Sequence, residues 1–285
     1  MTYYSVCSLI IESDLLSAKF QPFRIQSDIR PDHIDMTVRK VNKPHLNDVL
    51  SMMAKLPYMN IWKNVDSEEI THWIFEPHNH MGSISVDDKF SDIEIYCGNY
   101  LDYIDEKSIG EAFGRYIQII LECKLIQKGF TILHSACVEM EGNAYAFTGP
   151  SGIGKSTRGG NWCKLLGAEW ISGDRPAINA QDGIVYGVPW DGKEAIYRNY
   201  HCPLKAILNV NRSENTSIQE MTEKEKIQLL CEQTVVPLWD PMMAAQAMHS
   251  IRTLIKNVPI YEINCDITDE STFETYRLLA DKINK

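Results

Sequence analysis

Apolar residues in the first part of the chain form short runs separated by polar turns that contain Asp or Pro, a pattern typical of β-strands. Two longer segments, Leu46–Met53 and Ile109–Ile126, have helical spacing instead. We therefore predict a smaller N-terminal α+β domain over residues 1–125. Its predicted strands are Ser5–Glu12, Ile34–Arg39, His72–Phe75, Met81–Val86 and Ile93–Tyr96.

The pattern changes near residue 125, and we predict a second domain over residues 126–285. It opens with the apolar run Phe130–Met140, the turn Glu141-Gly142-Asn143 and the strand Ala144–Thr148. A turn this short cannot join parallel neighbours, so the two strands should be antiparallel. The remaining predicted elements are a helix Lys155–Leu166 closed by Gly167, strands Trp170–Ser172, Gly183–Val188, Lys205–Asn211 and Val258–Asn264, and helices Thr222–Cys231, Met242–Asn257 and one from about Glu270.

Composition and charge narrow the classes of partner. The net charge of −10 over 285 residues argues against proteins that wrap nucleic acid or lie on an anionic membrane, since both need excess Lys and Arg. No apolar run approaches the roughly 18–20 residues that span a bilayer, and no signal peptide is indicated at the N-terminus. The eight cysteines are scattered without a C-x-x-C pair. We expect a cytoplasmic protein with neither nucleic acid nor membrane as partner.

One segment matches the phosphate-binding pattern G-x-x-x-x-G-K-[ST] in full. Glycines in such a loop let backbone N–H groups turn towards phosphate oxygens, and the following helix presents its positive end. Lys155 would reach the β- and γ-phosphates, and Ser156 would bind Mg²⁺. A chance match in a glycine-rich turn is less favoured because the loop lies between a strand and a helix. We predict ATP and Mg²⁺ as ligands, bound by Gly149, Pro150, Ser151, Gly152, Ile153, Gly154, Lys155, Ser156 and Thr157.

A magnesium ion on the phosphates needs a second protein ligand, usually a carboxylate at a strand end. Asp174 follows the short predicted strand Trp170–Ser172, so it should approach the metal from a neighbouring strand. Ser156 and Asp174 are therefore the predicted metal ligands. An ordinary turn residue before Arg175-Pro176 is the alternative for Asp174.

Three segments together resemble the HPr kinase/phosphorylase family, which has the phosphoenolpyruvate-carboxykinase-like nucleotide fold. They are Leu133-His134-Ser135-Ala136, the hairpin with its loop up to Ser156, and Ser172-Gly173-Asp174-Arg175. The resemblance covers roughly residues 125–285. It implies a mixed sheet of α+β or α/β class that carries the phosphate loop. It also implies a variable N-terminal domain that either docks the partner or mediates assembly, and it implies a homo-oligomer.

Later segments resemble a divergent bacterial branch of HPr-kinase-like proteins. They are Gly187-Val188-Pro189-Trp190-Asp191-Gly192-Lys193-Glu194 and Pro203-Leu204-Lys205-Ala206-Ile207. Members of that branch accompany genes for ribosomally made peptides, and some are similar to peptide-modifying serine kinases. The resemblance thus implies a peptide or protein substrate with a hydroxyl acceptor, in ribosomal-peptide biosynthesis.

The chain departs from the family at two points. The family has a pair of Asp residues, the first a general base near the acceptor hydroxyl and the second near the metal, whereas this chain has Gly173-Asp174. The chain also has Gly159-Gly160 in the first turns of the helix after the loop. These glycines allow either close approach of a neighbour or substrate, or tight packing against the sheet.

The predicted catalytic residues are His134, Asp174, Lys155, Glu194 and Arg198. His134 has the family position, although a lone His in an apolar strand is also consistent with a core residue. Arg198 or Lys193 would neutralise charge on the transferred group, and Glu194 would act as base or bind a metal water. Solvated loop charges are the alternative for this segment, which also contains Asp191.

His72, His78 and His80 are a weaker metal candidate, since no fourth ligand follows at a recognisable spacing. Trp170, Trp190 and Trp239 are expected in the core or at a pocket. The leading hypothesis is a kinase that uses ATP and Mg²⁺ to phosphorylate a hydroxyl, most simply a serine of a peptide or protein. A non-catalytic nucleotide-binding partner, which the glycine at 173 favours, and a kinase for free serine are the alternatives.

Overall fold

The computed structural model describes residues 1–27, 30–44, 50–65, 71–78, 82–98 and 106–283. The chain forms two compact units. Unit 1 consists of Met1–Gln127 with Pro237–Ala244, and unit 2 of Lys128–Val236 with Ala245–Lys285. Each unit contains a mixed β-sheet with helices, so the chain has the α+β character that the sequence predicted. Among the helices of the described residues, none is long and apolar enough to cross a membrane.

Unit 1 is built on an eight-stranded sheet in the order β1-β2-β3-β8-β7-β6-β5-β4. Its pairs are antiparallel except β2 with β3 and β3 with β8, which are parallel. The elements are β1 (Tyr3–Val6), β2 (Leu9–Glu12), a 3₁₀-helix (Ala18–Phe23), β3 (Met36–Val41), β4 (Leu50–Lys55), β5 (Met59–Val65), β6 (Thr71–Pro77), β7 (Gly82–Asp87), β8 (Asp92–Cys97) and α1 (Glu106–Gln127).

The structure corrects two predictions in unit 1. The predicted helix Leu46–Met53 is wrong where it is described, because its last residues belong to strand β4, which pairs with β5; residues 46–49 lie outside the described part. Cross-strand pairing overrides a helical spacing this short. The predicted strand Ser5–Glu12 is a hairpin, which turns at Cys7 and Ser8 with φ of 51° and 66°. The predicted strand Ile34–Arg39 is confirmed from Met36 onwards, and the remaining predicted strands and α1 are confirmed over their described residues.

Unit 2 is built on a nine-stranded sheet in which β12-β10-β11-β15-β14-β13-β9 form one path, and β17 pairs with both β15 and β16. Helix α4 begins in the segment assigned to unit 1 and continues in unit 2. The elements are β9 (Phe130–Ile132), β10 (Ser135–Met140), β11 (Asn143–Thr148), α2 (Lys155–Leu166), β12 (Glu169–Ser172), β13 (Ala177–Asn179), β14 (Ile184–Tyr186), β15 (His201–Arg212), β16 (Ser217–Glu220), α3 (Glu223–Gln233), α4 (Pro241–Asn257), β17 (Ile260–Cys265) and α5 (Asp269–Ile283).

The predicted hairpin is confirmed, since β10 and β11 pair antiparallel, with Ser135 opposite Thr148 at one end and Met140 opposite Asn143 at the other. Two expectations are corrected. The apolar run Phe130–Met140 is two strands, β9 and β10, which pair with different neighbours. The strand that ends before Asp174 is not next to the loop-bearing strand, because β10 lies between β12 and β11. On the other side, β11, β15 and β17 run parallel.

Helix α2 is held on one face of this sheet by the fully buried Trp162. The Trp162 ring centroid lies 5.1 Å from those of Tyr145 and Phe147 on β11, and 5.7 Å from that of Tyr276 on α5. Such tilted and edge-on aromatic pairs add to the burial of apolar surface. The opposite face is covered by α3 and α4. The direction of α2, and therefore of the loop before it, is set by this packing.

Of the two glycines near the start of α2, Gly159 serves packing rather than an open approach. A Cβ added at Gly159 would lie 2.6 Å from the ring of Trp170, whereas one at Gly160 would lie 4.0 Å away. The closeness at Gly159 is below any normal carbon contact. The packing interpretation of Gly159 therefore holds, and Trp170 lies against α2.

We predict opposite effects of alanine at these adjacent positions. Gly159→Ala should lower the free energy of unfolding by about 1–2 kcal/mol, because the methyl group overpacks against Trp170. Gly160→Ala is the matched control and should raise it by about 0.5–1 kcal/mol, since alanine favours the helix. Urea unfolding monitored by circular dichroism measures both. Stabilisation by both substitutions would contradict the packing described here.

Candidate functional site

The glycine-rich loop, residues 149–156, joins β11 to α2. Gly152 and Gly154 have φ of 77° and 115°, in the left-handed region that glycine tolerates and other residues rarely adopt. Gly154 is also the N-cap residue of α2, and it has no side chain with which to cap the helix. The N–H groups of the first turn thus face an open cleft at the positive end of the helix dipole, an arrangement that suits an anion.

Lys155 is folded back over the loop. Its Nζ donates to the carbonyl oxygens of Gly149 at 2.9 Å and Pro150 at 3.3 Å. The residue is 9% exposed, and burial lowers the pKa of its ammonium group, which the carboxylate of Asp174 partly offsets. The only formal charge on the loop side chains is therefore held at the cleft by the backbone of the loop itself.

Arg212, at the end of β15, contacts the outer side of the same loop. Its Nη2 donates to the Gly152 carbonyl at 2.5 Å and its Nε to the Ile153 carbonyl at 3.4 Å. Both carbonyl groups thus point towards the guanidinium group. The N–H of Ile153 donates to the Pro150 carbonyl at 3.3 Å, so the loop is also braced from within.

A cleft of about 430 Å³ lies in front of the loop and is lined by groups from four separate segments. It brings together the predicted residues His134, Asp174 and Glu194 with the loop and with Lys193. The complete lining is His134, Ser151, Gly152, Gly154, Lys155, Ser156, Thr157, Gly173, Asp174, Gly192, Lys193 and Glu194. A cleft of this size with converging polar groups is the usual form of a small-molecule site.

His134, in the segment between β9 and β10, lies beside Asp174, in the segment between β12 and β13. The carbonyl of His134 accepts from the Oγ1 of Thr148 at 3.0 Å. The N–H of Ser135 donates to the Asp174 carbonyl at 2.7 Å. The side chains are then 3.4 Å apart, from Nε2 to Oδ1, and Arg175 Nε is 3.9 Å from the other Asp174 oxygen.

The imidazole of His134 is biased towards its neutral form. Burial lowers the pKa of His134 first, and the positive charge of Lys155 lowers it further. The carboxylate of Asp174 acts in the opposite direction but does not compensate. A neutral imidazole can accept a hydrogen bond at one nitrogen and donate at the other.

Two carboxylates approach the backbone of Gly173. The Asp191 carboxylate accepts from the Gly173 N–H at 3.0 Å through Oδ1 and from the Ile196 N–H through Oδ2. A Cβ at Gly173 would lie 2.8 Å from Asp191 Oδ1 and 3.0 Å from Glu194 Oε2. Any side chain at this position would displace them. The glycine at 173 therefore makes room for two carboxylates from the loop at 191–196.

These two carboxylates have different surroundings. Asp191 is half-buried and holds the loop; burial raises the pKa of Asp191, and its backbone donors lower it. Glu194 is exposed and lines the cleft. A Cβ at Gly192 would lie 3.6 Å from both Asp174 Cγ and Glu194 Oε2. Asp174 and Glu194 thus flank one point of the cleft, and Glu194 is the carboxylate exposed to a ligand there.

Arg198 is not brought to the cleft. Its guanidinium group pairs with the Glu169 carboxylate at 2.8 Å, donates to the Trp170 carbonyl at 3.0 Å and stacks 4.1 Å from the Tyr200 ring centroid. It does not line the cleft that the loop faces. Of the predicted catalytic residues, the other four line it, and Lys193 supplies a further positive charge there.

Sequence reasoning missed two residues that touch the loop, Arg212 and Asn209. The Oδ1 atom of Asn209 is buried with no hydrogen-bond partner among the described residues, and it lies 3.3 Å from where a Cβ at Gly149 would be. Both residues belong to β15, about 60 residues beyond the loop in sequence. No local pattern indicates that β15 is the parallel neighbour of β11, so no signal could have found them. The indole of Trp190, expected at a core or pocket, is buried and donates to the Arg175 carbonyl at 3.0 Å.

The predicted histidine metal candidate gains no support in the described part of the chain. His78 Nε2 lies 3.1 Å from Asn60 Oδ1. His72 is on β6, and His80 lies outside the described residues. Among the described residues, no group of three or more His, Cys, Asp or Glu side chains is placed to hold a metal.

Comparison of the chain with models of known protein families finds no match, and comparison with curated proteins finds none either.

We predict that the imidazole of His134 titrates below the usual value of about 6.5. Asp174→Asn should lower the pKa of His134 further, whereas Lys155→Met should raise it, because these neighbours act with opposite sign. Nuclear magnetic resonance of the histidine ring protons against pH measures all three. A shift in the same direction for both variants would contradict the geometry.

The same lowered pKa links His134 to stability. Because His134 has the higher pKa in the unfolded chain, that chain binds more protons than the folded chain below about pH 6.5. The contribution of His134 to the free energy of unfolding is therefore fully present above that pH and is lost as the pH falls towards the folded-state pKa. His134→Gln should therefore flatten the fall of unfolding free energy below about pH 6.5. A slope that is the same in His134→Gln as in the wild-type protein would contradict this link.

Proposed function

We propose that this chain is a kinase that uses ATP and Mg²⁺ to phosphorylate a hydroxyl group, most simply the serine of a peptide or protein. The observation that carries the proposal is that five residues of the G-x-x-x-x-G-K-S loop, the N-terminus of α2 and the side chains of Asp174 and Glu194 line one cleft. The five loop residues are Ser151, Gly152, Gly154, Lys155 and Ser156. The mixed sheet, with its loop after an antiparallel hairpin, supports an HPr-kinase-like fold.

The residues present fit ATP with magnesium. The N–H groups of the loop and of the first turn of α2 would bind the phosphates, as would Lys155 on exchanging its loop carbonyls for phosphate oxygens. Ser156 and Asp174 line the same cleft, and magnesium characteristically takes one or two protein oxygens together with phosphates and waters. The ion would neutralise charge on the phosphates. A larger cluster of protein ligands is not needed, because phosphate oxygens and waters would supply the other ligands of the ion.

The transfer step is a displacement at the γ-phosphorus. The acceptor oxygen forms a bond to that phosphorus while the bond to the β,γ-bridging oxygen breaks, and ADP leaves with that electron pair. The hydroxyl proton passes to Glu194, the exposed carboxylate of the cleft. His134, whose pKa is lowered by burial and whose Nε2 lies 3.4 Å from Asp174 Oδ1, orients the Asp174 carboxylate.

Gly173 favours one alternative, a non-catalytic nucleotide-binding partner, because the position directly before Asp174 carries no carboxylate. The approach of Glu194 to Gly173 supports the catalytic proposal instead, since it supplies a carboxylate at that place. A kinase for free serine would use the same cleft. A cytoplasmic location, substrate docking by the N-terminal unit and homo-oligomer formation complete the proposal.

Lys155→Ala should reduce ADP formation with Mg²⁺ and serine-containing peptides by about 10²- to 10³-fold, because the cation of the loop is lost. Lys164→Ala, an exposed lysine of the same helix, is the matched control and should leave the rate unchanged. ADP release and phosphopeptide formation measure the effect. ATP binding without hydrolysis or transfer to any candidate peptide or to free serine would reject the kinase proposal in favour of the non-catalytic partner.

We expect substitutions of Glu194 and of Asp191 to have different effects. Glu194→Gln should lower kcat by about 10²- to 10⁴-fold without changing the midpoint of thermal unfolding, because the side chain is exposed and serves the proton transfer. Asp191→Asn should lower the unfolding midpoint, since its carboxylate holds two backbone N–H groups. An unchanged kcat for Glu194→Gln would exclude its role as base.

A further inference from the structure

A second cleft, of about 480 Å³, adjoins the glycine-rich loop. Gly154 lines both clefts, so this part of the loop forms their common border. The first cleft contains the reactive side chains and the second contains none of them. The residues that line the second are Ile153, Gly154, Arg158, Val210, Arg212, Ser213, Glu214, Cys265, Asp266 and Ile267.

The topology places the second cleft where ligands of open sheets are bound. Strands β11, β15 and β17 are parallel, so their carboxyl ends lie at one edge of the sheet. The loop follows β11, while the lining segments at 212–214 and 265–267 follow β15 and β17. The crevice outside the carboxyl ends of parallel strands is the usual ligand position in such sheets. The first cleft takes its carboxylates from the other side, where β10 and β12 lie.

The wall of the second cleft is mainly apolar. Ile153, Val210, Cys265 and Ile267 contribute to it, and Ile267 is 70% exposed. A large apolar side chain at the rim of a cleft is the kind of surface that a flat, uncharged ring would cover.

Three of the four charged residues of this cleft, Arg158, Arg212 and Asp266, are engaged by the protein, and the fourth, Glu214, is exposed. Arg158 donates to the Asp266 carbonyl and, at 3.3 Å, to the Thr272 hydroxyl. The Asp266 carboxylate accepts from the N–H and the hydroxyl of Thr268 at 2.9 and 2.6 Å. Arg212 donates to loop carbonyls and adds positive charge at the border between the clefts. The cleft thus combines a mainly apolar wall with the positive charge of Arg212 on the phosphate side and with the exposed carboxylate of Glu214.

We propose that the second cleft binds the nucleoside of ATP, with the base against Ile267 and Ile153 and the phosphate chain passing Gly154 and Arg212 to reach the first cleft. The inference rests on the proposed function, because it assigns the other end of the same nucleotide. The residues that would hold the base come from the ends of β15 and β17, far from the loop in sequence.

The test compares ATP with inorganic triphosphate, both with Mg²⁺, by calorimetry on the full chain. The wild-type protein should bind ATP more tightly than triphosphate. Ile267→Ser should weaken ATP binding by about 10-fold or more, the loss expected when an apolar surface covered by a ligand is made polar, and leave triphosphate binding unchanged. Phe273→Ser, another exposed apolar residue of this unit that does not line the cleft, is the control and should change neither.

Three results would overturn the inference. Equal affinity of the wild-type protein for ATP and triphosphate would remove the nucleoside site and leave the phosphate site of the proposed function standing. Equal weakening of both ligands by Ile267→Ser, or no weakening of ATP in a variant whose unfolding midpoint is unchanged, would also reject it. Binding of neither ligand by the wild-type protein would instead overturn the proposed function itself.

Discussion

The packing of α2 on the β10–β11 hairpin is the constraint on which the candidate site depends. Trp162 is completely buried between β11 and α5, and its contacts with Tyr145, Phe147 and Tyr276 fix the axis of the helix. A helix N-terminus attracts an anion only when its free N–H groups are aimed at an accessible place. The aromatic cluster does not line the cleft, but it affects the candidate site because it sets the direction of the N–H groups at the start of α2.

The surroundings of the loop show how an acidic chain can offer a local site for anions. The net charge is −10, yet Lys155 and Arg212 both hold loop carbonyls from opposite sides and the helix adds its dipole. The carboxylates of Asp174 and Glu194 reach the cleft from the side of the sheet where β12 lies. Asp174 arrives in the segment between β12 and β13, and Glu194 arrives through a loop anchored by Asp191 on the Gly173 N–H.

Gly173 illustrates why a missing side chain is ambiguous in a sequence. In the sequence, Gly173 stands in place of the first Asp of the pair found in the family that this chain resembles. In the folded chain it leaves space, and the carboxylates of Asp191 and Glu194 approach to within about 3 Å of where its Cβ would be. Arg198 shows the converse, since a charged residue in the same stretch of sequence is turned to Glu169 and Tyr200 instead.

The sequence alone determined the local elements and the local motif. The hairpin follows from a turn too short for parallel strands, and α2 with its glycine-rich loop follows from a pattern of consecutive residues. Only the tertiary structure decided that Leu50–Lys55 pairs as a strand, that β10 separates β12 from β11, and that Arg212 and Asn209 reach the loop from β15. These features depend on which strands become neighbours across tens of residues, and strand pairing at that distance is selected by burial and hydrogen bonding in the whole sheet rather than by any local spacing.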